Sequence, residues 1–438
     1  MVEQVSSLKT AVKYKDTPIG KIPVDWELVE LADICDEIYR YPTYYNLDYV
    51  DRNHGVPEIR GELIKENGEL SNDLLQYRYI SSETSLRFPK TIVREGDFVI
   101  SVRGTLGKIG YVSDQLEHAN ITANLMRISP SRKRVYPSWL KQYLLSNLFQ
   151  NRLNEMSSAT TIKTIKAPEL KAVEVALPLY SEQKKIAEIL TTVDEAIEKT
   201  TEIIEKTKEV KKGLMQKLLT RGIGRTKFKK TKIGEIPEEW RVLKGTDLAV
   251  KITKGSSPKW QGYEYQDDGM LFITSENVRD GFLDVSNPKF LPIEFHNRLR
   301  ASQLQKGDIL INIVGASIGR ACVFKGEYKD VNINQAVCLF RAKEGIEPIF
   351  ILNYLQLPKT IHRLLETRAG SARQNLSLAD INHFPFLLAP LPEQKRITAI
   401  LSALDQQIEK ESNHKARLEL LKKGLMQVLL TGKIRVTV

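Results

Sequence analysis

The chain is written twice. Thr17-Pro18-Ile19-Gly20-Lys21-Ile22-Pro23-Val24-Asp25-Trp26 returns as Thr231-Lys232-Ile233-Gly234-Glu235-Ile236-Pro237-Glu238-Glu239-Trp240. Glu182 to Thr220 returns as Glu393 to Thr431 without a gap, about half of its positions identical. The identities include Glu182-Gln183-Lys184 with Glu393-Gln394-Lys395, and Lys211-Lys212-Gly213-Leu214-Met215-Gln216 with Lys422-Lys423-Gly424-Leu425-Met426-Gln427. Between these anchors the halves diverge, but weaker echoes keep register. Gly96-Asp97 matches Gly307-Asp308, Gly104 and Gly107 match Gly315 and Gly319, Asn120-Ile121 matches Asn332-Ile333, and Pro137 and Tyr143 match Pro348 and Tyr354. Convergent patterning can make two helices alike, but it does not preserve spacing across whole domains. The expected order is therefore domain (1–180), helix (181–221), domain (222–391), helix (392–438). Similar anchors around dissimilar middles suggest one scaffold role served by two modules with different targets.

The preserved segments read as helices. Apolar residues fall at a 3-4 spacing: Ile186, Leu190, Val193, Ile197, Ile204, Leu214 and Leu218, then Ile397, Leu401, Leu404, Ile408, Leu418, Leu425 and Leu429. That is a heptad seam, not a strand alternation. Proline precedes each segment (Pro178; Pro390 and Pro392) and glycine follows (Gly222, Gly432), as helix boundaries prefer. The middle of the seam is polar, with Thr200 and Thr207 in one copy and Glu411 and Lys415 in the other. Two such helices satisfy each other best as an antiparallel coiled coil. Gly213 and Gly424 cost about 1 kcal/mol each relative to alanine inside a helix. They are expected to mark close helix approach, Gly213 near Ala399 and Ser402, Gly424 near Ala187 and Thr191.

At 438 residues, the chain is long enough for two or three domains. Apolar residues at 42 % and charged residues at 27 % exclude a disordered composition. The 65 Lys and Arg against 54 Asp and Glu leave a net charge of +11, which points toward a polyanion such as nucleic acid. The three cysteines, Cys35, Cys322 and Cys338, form no CxxC pair and no zinc spacing with histidine, a usage that fits a reducing cytoplasm. No apolar run has the roughly 18 residues of a membrane span, and Met1-Val2-Glu3-Gln4 does not open a signal peptide.

Each divergent domain reads as mixed α/β, so the fold class is α+β. Thr91-Ile92-Val93, Phe98 to Val102 and Gly110-Tyr111-Val112 suit short strands in the first domain, as do Ile309 to Val314 and Ala336 to Phe340 in the second. Ser138 to Met156 and Ile349 to Thr367 read as helices, with Trp139, Leu140, Tyr143, Leu144 and Leu148 as a buried stripe. Polar, aromatic and basic residues gather between these elements, in Tyr39-Arg40-Tyr41-Pro42-Thr43-Tyr44-Tyr45 and in Lys251 to Gln261. Cations hold phosphates, while Arg, Asn, Gln, Ser and Thr read base edges. The turns Arg103 to Lys108 and Gly315 to Arg320 place a cation beside glycine, which permits close backbone approach to a phosphate. The candidate DNA-contacting residues are Arg40, Tyr41, Tyr44, Arg103, Lys108, Lys254, Ser256, Ser257, Lys259, Trp260, Arg320, Arg373 and Gln374. The candidate helix-packing residues are Ile186, Leu190, Ile197, Gly213, Leu214 and Leu218 against Ile397, Leu401, Ile408, Gly424, Leu425 and Leu429.

Catalytic signatures are missing. Gly104 to Lys108 is not a P-loop, because Val102 stands where its first glycine should be and no Ser or Thr follows Lys108. Asn287-Pro288-Lys289-Phe290 has lysine where an adenine methyltransferase needs an apolar residue. No HExxH, GxSxG or nuclease cluster of Asp, Glu and Lys occurs, and six histidines form no constellation. Catalysis is not expected in this chain, and no catalytic, cofactor or metal residue is assigned.

The pattern resembles the specificity subunits of type I restriction-modification systems. The resemblance rests on Ile19-Gly20-x-Ile22-Pro23-x-x-Trp26 and its copy. It also rests on Leu177-Pro178-Leu179-x-x-Glu182-Gln183-Lys184-x-Ile186 with Ala389 to Ile397, and on Lys212-Gly213-Leu214-Met215-Gln216-x-Leu218-Leu219-Thr220 with its copy. It implies that two target-recognition domains each read half of an asymmetric bipartite DNA site in the major groove. The helices, packed as an antiparallel coiled coil with pseudo-two-fold symmetry, would set the spacer and dock the methyltransferase subunits. Two modification and two restriction subunits would bring S-adenosylmethionine, ATP and Mg2+. The first domain lacks the Gly255-Ser256-Ser257-Pro258-Lys259 string, with Arg40-Tyr41-Pro42-Thr43 near that place, so the two recognition loops should differ in shape. A competing reading is a non-catalytic coiled-coil scaffold whose basic surface is incidental.

Overall fold

The computed structural model describes residues 13–40, 47–158, 164–367 and 375–437. The chain packs as two compact units, one of residues 1–201 with 413–438 and the other of residues 202–412. Two long helices, Tyr180–Arg221 (42 residues) and Leu391–Leu429 (39 residues), each contribute one end to either unit. At about 1.5 Å per residue each is a rod of roughly 60 Å.

In the first unit β1 (Cys35–Arg40), β2 (Phe98–Ser101), β3 (Ile109–Tyr111) and β4 (Leu125–Pro130) form an antiparallel sheet in the order β1-β4-β2-β3. Side chains alternate across it. Phe98, Ile100, Met126 and Ile128 enter the core beneath the helices, whereas Val99 and Leu125 face a second core. That second core is closed by the small sheet of Gly55–Ile59, Arg78–Ser81 and Asn120–Ile121. A sheet covered on both faces needs continuous apolar strands, which is how these read in sequence. The second unit repeats the plan with β5 (Ala249–Lys254), β6 (Ile309–Asn312), β7 (Ala321–Val323) and β8 (Val337–Ala342), ordered β5-β8-β6-β7.

The echoes between the halves mark the buried polar links of this plan. Asp97 accepts hydrogen bonds from Arg127 Nε (2.7 Å), Ser129 Oγ (2.7 Å) and the Arg94 amide (2.8 Å). Asp308 takes Arg341 Nε and Nη2 (both 2.7 Å) and the Gln305 amide (2.7 Å). Each aspartate closes its own turn and ties it to the neighbouring strand. Asn120 joins Ser85 Oγ (2.6 Å) to Thr91 Oγ1 (2.7 Å). Asn332 does the same between His296 Nδ1 (2.6 Å) and Ser302 Oγ (2.7 Å).

The strongest anchors hold each domain to its helices. Tyr14–Thr17 pairs with Gly20–Pro23, and Phe228–Thr231 with Gly234–Pro237. Gly20 (φ +105°) and Gly234 (φ +118°) turn these hairpins in a conformation that side chains resist. Each hairpin delivers a tryptophan to the core. Trp26 Nε1 donates to Glu182 (2.9 Å), and Arg435 donates to both oxygens of Glu182 (2.7 and 2.9 Å) and both of Asp25 (2.8 and 2.7 Å). In the other unit Trp240 Nε1 (3.1 Å), the Ile223 amide (2.9 Å) and Arg225 Nη2 (2.7 Å) converge on Glu393. The next residue of the Glu-Gln motif pins the helix start. Gln183 accepts from the Tyr136 amide (2.8 Å) and donates to the Pro178 carbonyl (2.9 Å). Gln394 binds the Glu347 amide (2.9 Å) and the Ala389 carbonyl (2.7 Å) in the same way.

Within each unit the two helical stretches run antiparallel. In the first, Ile186 and Leu190 share a core with Leu429 and Leu430, and Lys422 reaches Asp194 at 2.6 Å. In the second, Ile397 and Leu401 meet Leu218 and Leu219, and Lys211 reaches Asp405 at 2.5 Å. Leu214 and Leu425 pack at the edges of these cores, and Ile197 and Ile408 are half-buried on the seam.

Five expectations need correction. Gly213 and Gly424 do not mark close approach: both are exposed, and a Cβ on either would meet nothing within 4 Å. Each lies one residue before a seam leucine, off the packed face. The helix expected from Ser138 to Met156 breaks at Ser146, whose hydroxyl donates to the Tyr143 carbonyl (2.6 Å), giving Pro137–Leu145 and Asn147–Ser158. Its counterpart breaks before Pro358, which has no amide to continue the ladder. Leu148 then falls outside the stripe, 38 % exposed. Thr91-Ile92-Val93 is no strand, because Pro89–Thr91 forms a 3-10 turn.

Candidate nucleic-acid interface

The register of each four-stranded sheet gathers the candidate residues at one end. Arg40 lies opposite Met126, and Ser101 opposite Leu125, so the ends of β1 and β2 are level. Arg103 and Lys108 belong to the turn that joins β2 to β3 at that end. The turn is closed by the Ser101 amide on the Lys108 carbonyl (2.9 Å) and the Gly107 amide on the Ser101 carbonyl (2.9 Å). In the second unit Lys254 lies opposite Cys338, and Asn312 opposite Val337. The loop after Lys254 and the turn Gly315 to Arg320 therefore leave the same sheet end. Both turns follow from the sequence: a short apolar strand must reverse within a few residues, and glycine at two positions permits it.

Among the described residues, the candidate cations of this end apart from Arg320 make no ion pair, unlike the arginines behind them. Arg127 and Arg341 are buried and paired with Asp97 and Asp308. Among the described residues, Arg103, Lys108, Lys254 and Lys259 meet no carboxylate within 4 Å. Arg40 is half-buried, and its Nη2 atom is enclosed without a hydrogen-bond partner. Burial first, and the nearby Arg103 charge second, pull the Arg40 guanidinium below its ordinary pKa. A half-buried guanidinium with a second cation nearby is relieved by an anion.

The structure also divides the candidates. Ser256 Oγ accepts from Gln261 Nε2 (3.0 Å), so it shapes its own loop. Ser257 is half-buried in that loop, and Lys259 and Trp260 are exposed on it. Arg320 turns toward Asp280 at 3.9 Å. Gly104 and Gly315 face open space, as backbone approach to a phosphate requires, but Gly107 is pressed by Gln150, and Gly319 is in ordinary contact with Ile361. Tyr41, Tyr44, Arg373 and Gln374 lie outside the described residues. The Asp97–Arg127 and Asp308–Arg341 pairs, which hold the strands behind this end, were not among the candidates. Their only sequence signal is the repeated Gly-Asp.

Among the described residues no group of three or more His, Cys, Asp or Glu is placed to hold a metal ion, and no helix is long and apolar enough to cross a membrane. Burial pushes the thiols of Cys35, Cys322 and Cys338 up to about 12, so they stay protonated.

A family profile described as the type I restriction modification DNA specificity domain matches residues 23–209 and, a second time, residues 237–420. The chain belongs to this family. A Methanocaldococcus jannaschii protein assigned as the MjaX type I restriction enzyme specificity subunit is 31 % identical over 97 % of both chains. The MjaVIII specificity subunit of the same organism is 28 % identical over 95 % of this chain and 94 % of that one. The EcoKI specificity subunit of Escherichia coli K12 is 23 % identical over 95 % and 90 %. Two solved structures share the fold. One comes from work on complex assembly and conformational transition of the type I R-M system (TM-score 0.55, 18 % identity, 94 % of this chain and 100 % of that one). The other is the S subunit from M. genitalium (TM-score 0.54, 14 % identity, 96 % and 97 %). Within the family this chain is a DNA-specificity subunit: two divergent recognition domains on a repeated helical frame. Its work belongs to a complex with modification and restriction subunits on DNA.

Proposed function

We propose that each unit reads one half of a bipartite, asymmetric DNA site through the loops at the end of its four-stranded sheet, entering the major groove. The observation that carries this reading is the repeated gathering of unpaired cations at that one sheet end, beside loops that differ between the units. Unpaired cations supply the phosphate contacts, and the differing loops supply different base contacts. The long helices set the number of unread base pairs between the halves and dock two modification subunits, with two restriction subunits completing the complex. The chain itself performs no bond chemistry. S-adenosylmethionine, ATP and Mg2+ serve the partner subunits, and the complex works in the cytoplasm. An interaction scaffold would not need basic residues at the corresponding sheet end of both units beside loops that differ between them.

The experiment is a methylome. The chain is expressed with its modification subunit in a host without adenine methylation of its own, and modified adenines are mapped by sequencing. One split, non-palindromic motif is expected. A palindromic motif, or no motif with an active modification subunit, would refute the reading.

A further inference from the structure

Three of the four tryptophans are core. Trp26, Trp139 and Trp240 are at most 1 % exposed, whereas Trp260 is 77 % exposed. Among the described residues nothing hydrogen-bonds to its indole or stacks on it. The fold does not need this ring, yet the loop that carries it is built to hold it still. At the loop's root Gly255 is pressed on β-structure, where a Cβ would collide with the Ile333 carbonyl, and its amide donates to Asn334 (3.1 Å). The Pro258 carbonyl accepts from the amides of Gln261 (2.9 Å) and Tyr263 (3.0 Å), making a tight turn around Trp260. Gly262 closes that turn at φ +77°, and the Tyr263 ring anchors the far side edge-on against Phe295 (5.4 Å). Lys259 lies within the turn and Lys254 at the end of β5, and among the described residues neither meets a carboxylate within 4 Å.

We propose that Trp260 contacts the C5-methyl group of a thymine in the half-site read by the second unit. The inference rests on the DNA reading above. In a stacked duplex the flat faces of the bases are covered, and the apolar feature of the major-groove wall is the thymine methyl. A flat, exposed indole next to the phosphate-seeking Lys259 matches that feature. The pinned turn leaves little ordering to be lost on binding.

The test uses duplexes carrying the methylome-defined site and the complex with modification subunits, with affinity measured by fluorescence anisotropy. Trp260→Ala should weaken binding about tenfold, and Trp260→Phe, which keeps a flat ring, should recover most of it. Replacing one thymine of the second half-site by uracil removes a single methyl. It should cost the wild-type complex about three- to fivefold and the Trp260→Ala complex nothing further. Uracil in the first half-site should affect both complexes equally. The inference is overturned if Trp260→Ala binds like wild type, if the uracil penalty persists in that variant, or if the second half-site has no thymine. A wild-type complex that fails to bind the site duplex would overturn the DNA reading instead.

Discussion

Arg435→Ala is the sharpest probe of how a recognition domain is fastened to its frame. Arg435 lies beyond the second long helix, yet its guanidinium makes four hydrogen bonds of 2.7–2.9 Å to Glu182 and Asp25. Glu182 is 1 % exposed and opens the first long helix. Without Arg435, the Glu182 carboxylate keeps, among the described residues, only the Trp26 N–H as a side-chain donor. Removing one partner of a buried pair costs about 3–5 kcal/mol, because an uncompensated charge stays behind. The Arg435 side chain is 26 % exposed, so water relieves part of this, leaving about 2–3 kcal/mol. For a unit of more than 200 residues, each kcal/mol lowers Tm by about 2–4 °C, so a loss of roughly 4–12 °C is expected. Differential scanning calorimetry of the whole chain measures it. The signature is rescue: Glu182→Gln in the Arg435→Ala background removes the stranded charge, keeps an acceptor for Trp26, and should recover about half of the loss. A variant that melts within 1 °C of wild type, or a double variant that melts lower still, would refute the charge argument.

Gly213→Ala and Gly424→Ala should each stabilise the chain by roughly 0.5–1 kcal/mol, because both sites are helical, exposed and free of neighbours; destabilisation in thermal melts would restore a packing role. Burial disfavours the Glu393 charge, but Arg225, the Ile223 amide and Trp240 together outweigh it and hold its pKa below the usual carboxylate range. Its stabilising contribution is therefore complete above about pH 4.5 and is lost as pH falls through the depressed folded value. Acid titration followed by circular dichroism should show Glu393→Gln with a flatter stability profile below that pH. Lys254→Ala should weaken binding to all sequences alike and reduce the salt slope of log K by about 1; a changed motif would mean that Lys254 reads bases. Deleting one heptad from each long helix should alter the spacer in the methylation motif and leave both half-sites unchanged.

What the sequence disclosed followed period and repetition. The long helices were legible because 3-4 spacing persists for about ten turns. Through the polar middle of each helix that seam stays turned inward, with Thr200 buried and Thr207, Glu411 and Lys415 half-buried. Trp26, Glu182, Asp97 and Asn120 were visible as echoes, but not their reason. Each echo is one partner of a long-range polar contact, and the other partner lies at a sequence distance that no local pattern encodes. Arg435 stands 253 residues from Glu182, and its counterpart at Glu393, Arg225, lies one residue out of the repeat's register. At Gly213 repetition does not mean packing. A residue kept twice on the outer face of a helix has been kept by something other than the partner helix, and at Gly213 and Gly424 no neighbour in the fold supplies the reason. At the sheet ends the loops carry no period, so residue chemistry alone had to nominate contacts. It proposed Arg103, Lys108, Lys254 and Lys259, which prove free of carboxylates, and also Ser256 and Arg320, which the fold occupies with Gln261 and Asp280. Composition can nominate a cation for DNA. Whether that cation is free depends on the carboxylate that folding brings beside it, as Asp280 is brought beside Arg320 and, among the described residues, none beside Arg103.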